Sequence, residues 1–291
     1  MESNYIANDN VNTGLAAGFA QEDSFLDSAL YYHLFYEAEK VRWKISDIPW
    51  SAIEKDKVNP GLISLVRDIA FSELATWSAT NSFLQAFAGD IDFSQWLTVW
   101  LYEETKHPQA LMLWLKQFGE SFDMNFMAEG RKIYPPIKSP IGNLVMNTLS
   151  EIEASSLYVL LYSSVEEPVL KRIAKNLGAD EARHASGFFS YAKKTFDSSD
   201  EPDVARLQAL QVLSFWLLNH KRVKHPVALI SRRIMDNHTT QFRKDPEVES
   251  EKVFSRMRSM IGNLVGLELK TNEDVYKYSK ELHADLGPVR I

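Results

Sequence analysis

The stretch NLGADEARHASGFF, residues 176–189, decides how the rest of the chain is read. Its periodicity is helical, and residues three or four apart on a helix share a face. Glu181 and His184 therefore project together, on a stripe with Leu170, Ile173, Leu177, Phe188 and Tyr191. A charged side chain on an apolar stripe is costly unless it is paired or holds a metal. The same spacing recurs at Glu104-x-x-His107, on a stripe with Leu97, Trp100, Leu111 and Trp114.

Working outward, each pair is preceded by a lone inward glutamate. Glu73 lies 31 residues before Glu104, and Glu153 lies 28 residues before Glu181. Each interval suits two antiparallel helices with the acids at mid-length. Glu73 falls among Val66, Ile69, Trp77 and Leu84, and Glu153 among Met146, Leu149, Ser156 and Leu160. Glu151 shares a turn with Glu153 but faces Tyr158 and Tyr162, so Glu153 is the expected member of the set and Glu151 the alternative. Four carboxylates cannot share an apolar interior unpaired. Two cations would neutralise them, and carboxylate with imidazole suits iron or manganese. Asp180 and Glu103, beside the two motifs, are placed to accept the second ring N–H of a histidine on the opposite helix. Ser156, one turn after Glu153, could bring a hydroxyl to the same site.

The spacing predicts helices over about 24–43, from Asn59-Pro60 to about 88, and from Asp92 to Gly119, the last kinked at Pro108. A connection over 120–140 follows, then a long helix to about 164 and another from Pro168 to about 195. Further helices are expected at about 202–220, 226–240 and 247–266. No strand pattern is convincing. The fold expected is all-α, a four-helix bundle with one long crossover and flanking helices. Residues 1–22 read as a flexible tail without the basic start and apolar block of a signal peptide, and 23–291 as one domain. The chain of 291 residues is 45% hydrophobic, carries 7 Trp, 11 Tyr and 16 Phe, and suits a bulky core. Its net charge of −7 argues against nucleic acid as a partner. It has no cysteine, which excludes disulfides and thiolate ligands, and no apolar run long enough to span a membrane. A cytoplasmic location is the expectation. His33, His220, His225, His238 and His283 have no glutamate three residues before them and read as surface or packing residues. The stretch NHKRVKHP, Asn219–Pro226, with Arg232-Arg233, forms basic islands in an acidic chain.

YEETKH and GADEARH resemble the paired motifs of the soluble acyl-carrier-protein desaturases, in the ferritin-like di-iron carboxylate superfamily. FSELATW and SEIEASS sit where that family carries its two lone glutamates, with Ser156 in the place of a family threonine. WKISDIPW and FGESFDMN also resemble family segments, and the similarity spans about residues 43–195. The resemblance implies a ferritin-like bundle holding two iron ions, with manganese as the alternative, and O2 as co-substrate. It implies that Glu104 and Glu181 bridge the ions. Glu73 with His107, and Glu153 with His184, would each complete one of them. It further implies desaturation or hydroxylation of an acyl chain on a carrier protein, an external electron donor such as ferredoxin, and a homodimer. The alternatives are a di-iron N-oxygenase or hydroxylase of a small molecule, and a non-catalytic ferritin-like metal binder.

Overall fold

The computed structural model describes residues 28–132, 137–219, 222–236 and 246–289, and the expected tail lies outside them. The described residues are helical, with no strand among them. Helix α1 runs Leu30–Val41, α2 Pro60–Glu73, α3 Thr76–Ala86, α4 Ile91–Lys116, α5 Met124–Gly130 and α6 Pro140–Ser164. They are followed by α7 Pro168–Asp197, α8 Pro202–Leu218, α9 Pro226–Asp236, α10 Pro246–Val265 and α11 Asn272–Leu286.

Local chemistry sets most of these limits. Asn59 and Ser139 accept hydrogen bonds from the first turns of α2 and α6, each with proline at the first helical position. Glu167 does the same for α7 and also accepts the Trp114 indole N–H at 2.7 Å. Gly119, at φ +87, stops the chain after α4 in a conformation that favours glycine. Thr271 and Asp274 form a capping box that starts α11.

Four expectations need correction. The helix from Pro60 is broken at Leu74-Ala75 into α2 and α3. The Ser72 hydroxyl donates to the Ile69 carbonyl at the break, a local bond that competes with the helix ladder. Beyond the break the register turns, so Trp77 and Leu84, expected inside, are exposed, and the Arg131 guanidinium lies over the Trp77 ring. The cap of α4 is Asp90, whose carboxylate accepts from Phe93 N. Asp92 is instead buried, accepting from the backbone of Leu30 and Tyr31 and from Lys194. The 120–140 connection contains α5, capped by Asp123. Residues 237–240, the expected end of the 226–240 helix, lie outside the described residues.

Helices α2 and α4 pack as one pair and α6 and α7 as another, and α4 against α7 joins them. Helix α8 covers the outer side of α6. The buried apolar residues fall into two clusters. One includes Trp96, Leu97, Trp100, Leu149, Ile152, Phe188 and Trp216; the other includes Val66, Ile69, Leu111, Trp114, Tyr158, Ile173 and Leu177. On α4 and α7 the polar residues fall in the gap between them, Glu103 to His107 on the first and Asp180 to His184 on the second. No described helix is long and apolar enough to cross a membrane.

Candidate metal centre

The middle of the bundle holds two groups of ligand-type side chains. Glu73, Glu104, His107 and Glu181 form one, and Glu104, Glu151, Glu181 and His184 the other; within each, the ligand atoms lie within 4.8 Å of one another. Glu104 and Glu181 belong to both. These groups could each hold a metal ion. Five of the six expected residues are thus brought together.

Glu153 is not among them. Its carboxylate accepts the indole N–H of Trp216, on α8, at 2.8 Å. Glu151 takes its place. Two helical residues two apart point nearly opposite ways, and α8 gives Glu153 a donor on the far side of α6. Ser156 goes with Glu153: its hydroxyl donates to the Ile152 carbonyl, and it borders a separate small cavity. Ala154 stands one turn after Glu151 and lines the cavity at the cluster.

The two histidines lie side by side, ring centroids 5.9 Å apart. Each turns Nδ1 inward. His107 Nδ1 is 3.2 Å from Glu181 Oε1 and 3.5 Å from Glu73 Oε2, and His184 Nδ1 is 2.8 Å from Glu104 Oε1. Each turns Nε2 outward to a carboxylate of the opposite helix. His107 Nε2 is 3.2 Å from Asp180 and His184 Nε2 is 3.1 Å from Glu103. Asp180 also accepts from the Trp43 indole at 2.7 Å and from Arg183, while Arg42 and Arg183 both donate to Glu103. The outer carboxylates therefore have cationic partners, and the inner ones have none apart from the histidines.

Charge in this cluster is strongly perturbed. Burial and the neighbouring Glu181 charge raise Glu104 to about 7. Burial, with Glu181 and Glu104 close by, holds Glu151 well above the ordinary carboxylate range. For Glu181 burial acts upward, but His107 and His184 outweigh it and bring it well down. Burial would lower both histidines. The carboxylates outweigh it, chiefly Glu104 and Glu181 at His107, and the close Glu103 and Glu104 at His184, and both sit well above their ordinary value. Burial also acts upward on Glu103, but His184 and Arg183 hold it down at about 2.

Without metal the cluster therefore retains protons, because four inner carboxylates cannot all be charged there. Buried orphan atoms point the same way. His107 Nδ1 and Glu104 Oε1 are both fully enclosed, and their nearest contacts within the cluster, at 3.2 Å and 2.8 Å, lack hydrogen-bond geometry. An imidazole that gives its Nε2–H to a carboxylate presents a lone pair at Nδ1, and two divalent ions would balance the four inner charges. The donor set fits a pair of metal ions with carboxylate and imidazole ligands.

The cluster opens onto a cavity of about 510 Å³. Glu73, Glu104, Glu151 and Glu181 line it, with Trp100, Phe83, Ile69, Met146, Leu157 and Ile230 on its apolar walls. Polar side chains interrupt those walls: Ser72, Thr76 and Ser82 on one side, and Asn143, Asn147 and Ser150 along α6 on the other. The Thr76 hydroxyl donates to Glu104 Oε2 at 2.9 Å, and the Tyr158 hydroxyl to Glu73. The helix break before Thr76 is what brings its hydroxyl to the cluster. Arg222, Lys224 and His225 also line the cavity. His225, read from the sequence as a packing or surface residue, packs its ring on Trp216 as well. His220, His238 and Lys221 lie outside the described residues.

No family model matches the chain, and no curated protein does.

Proposed function

We propose that the protein is an O2-activating di-iron oxidoreductase of the ferritin-like kind, oxidising the apolar part of an organic substrate held in the cavity. The observation that carries this reading is the pair of overlapping ligand groups, sharing Glu104 and Glu181 and opening directly onto a substrate-sized space. Glu73 and His107 would complete one iron site, and Glu151 and His184 the other, with manganese as the alternative metal. When bound, the ferrous pair supplies the site at which O2 is reduced.

The chain's own residues have definable parts. Asp180 and Glu103 fix the histidine tautomers by accepting Nε2–H, which directs Nδ1 inward. Thr76 and Tyr158 hold the carboxylates of Glu104 and Glu73 from the cavity side. Trp100 and Phe83, both buried, keep water away from that side of the cluster.

An acyl chain is the substrate class that the desaturase-like motifs favour. Forming a double bond removes two hydrogens and, with O2, two electrons and two protons, yields two waters. Hydroxylation uses the same inputs and yields the alcohol and one water. Both therefore need an external electron donor such as a ferredoxin, and only the product separates them. A second reading, hydroxylation or N-oxygenation of a small molecule, is favoured by the hydroxyls and amides on the cavity wall, which an all-apolar acyl channel would not need.

The test is ferrous loading under argon, then O2 uptake with a reductant and, separately, acyl carrier proteins, free fatty acids and arylamines. Two irons per chain and an alkene or alcohol product are expected. Amine products alone would select the second reading. Failure to bind iron, or no substrate-dependent uptake with any of them, would overturn both.

A further inference from the structure

The cavity has opposite charges on its lining. Four carboxylates form one part of it, and the basic stretch before α9 forms another. Val223 is buried at 2% exposure, while Arg222 and Lys224 on either side of it are exposed to solvent, and both line the cavity. Neither cation has an ion-pair partner among the described residues. The other basic residues nearby are used within the fold. Arg232 donates to the Val223 carbonyl at 3.0 Å, and Arg233 pairs with Asp68 and donates to Ser64 on α2. These bonds fix the segment that carries Arg222 and Lys224 over the cavity. The walls of the cavity that these two cations share with the acids are mainly apolar, with Phe83, Met146, Leu157, Val212, Val227 and Ile230 among them.

We propose that Arg222 and Lys224 form an anion-binding subsite that receives a carboxylate or phosphate at one end of an amphipathic substrate and sets its apolar body against the acidic cluster. The inference rests on the cavity being the substrate site. An anionic head is attracted by the two cations, so the charge pattern favours that end at Arg222 and Lys224 and leaves the apolar body to the rest of the cavity. A neutral ligand of the same shape has no such preference. The head is either the carboxylate of a free acid or the phosphate of a pantetheine arm, and these share one chemistry at the subsite.

Binding measured without O2 or turnover tests this apart from the proposed reaction. Isothermal titration would use the full-length, manganese-loaded protein and, in parallel, protein without added metal. The probes are dodecanoate, its methyl ester, S-dodecanoyl pantetheine 4′-phosphate and its dephosphorylated counterpart. The wild type is expected to bind at least one charged probe about tenfold or more tighter than its neutral partner. Arg222→Gln/Lys224→Gln should remove that preference and leave the neutral probes unchanged, and added salt should weaken only the charged ones. Preference for the carboxylate alone assigns a free acid, and for the phosphate alone a carrier arm. Equal binding of charged and neutral probes by the wild type overturns the proposal. So does an undiminished preference in the double variant, or no binding of any probe. Loss of metal binding or of O2 uptake would sink the proposed reaction and leave this comparison standing.

Discussion

At the residue scale the informative pair is Glu151 and Glu153. Both are buried, and each has a separate use, one in the cluster and one on the Trp216 indole. Replacing Glu151 with Gln should lower metal content from two ions per chain towards one, because one group loses a charged oxygen ligand. Glu153→Gln should keep both ions, since the amide oxygen can still accept from Trp216. Metal analysis of the purified variants checks this, and full loading of Glu151→Gln would remove Glu151 from the set. His184→Ala should lose metal and activity while circular dichroism stays helical, because the two apolar clusters do not depend on that ring.

At the scale of elements, close helix approach places the ligands. Gly187 on α7 faces the Trp96 ring of α4 so closely that an added Cβ would clash with it. Gly178, two residues before Asp180, lies against Tyr158, and its carbonyl accepts the Ser155 hydroxyl of α6 at 2.9 Å. These two glycines let α7 approach α4 and α6 near the cluster. Gly187→Ala should cost about 1–3 kcal/mol by overpacking. Gly89→Ala, in open space, should change stability far less. Denaturant unfolding of the two variants gives the comparison, and equal stabilities would argue against a tight α4–α7 contact. The break between α2 and α3 belongs to this scale too. No glycine or proline marks it, so the motif SELATWS reads as continuous helix.

For the whole molecule the metal centre and the proton balance are linked. Without metal, Glu104 is protonated below about 7, Glu151 holds its proton well above the ordinary carboxylate range, and His107 and His184 hold protons beyond the ordinary imidazole range. Ligation needs these groups deprotonated, so metal binding should release protons and its affinity should rise with pH. Titrations in buffers of different ionisation enthalpy should show release of at least one proton per chain. Affinity should rise by about tenfold per unit increase in pH for each proton displaced. The sign for stability follows from the same shifts. Histidines raised in the folded, metal-free protein add stability below their unfolded value, and that stability is lost as pH rises through their folded value. The rise in Tm on adding metal should therefore be larger at pH 8 than at pH 6. His225 acts in the other sense: burial lowers it to about 4, so its contribution is present above its unfolded value near 6.5 and is lost as pH falls towards 4. His225→Phe should flatten the acid side of the Tm profile, and an unchanged profile would rule this contribution out.

The sequence by itself determined the all-helical class and the two Glu-x-x-His pairs, because a fixed helical period converts spacing directly into a shared face. It also determined the antiparallel order, since Glu73 and Glu104 lie at hairpin distance, and it named Asp180 and Glu103 as partners for the histidine rings. What fills the space around each helix is not a property of that helix. Helix α6 is buried on more than one side, so its apolar pattern points two ways, and only the packing of α8 decided that Glu153 meets Trp216 while Glu151 enters the cluster. The same holds for Thr76, which reaches Glu104 because the chain bends before it, and for Arg222 and Lys224, which reach the cavity because Arg232 and Arg233 fix their segment against the bundle. Such contacts join residues far apart in the chain, and their energies depend on three-dimensional neighbours that local periodicity does not encode.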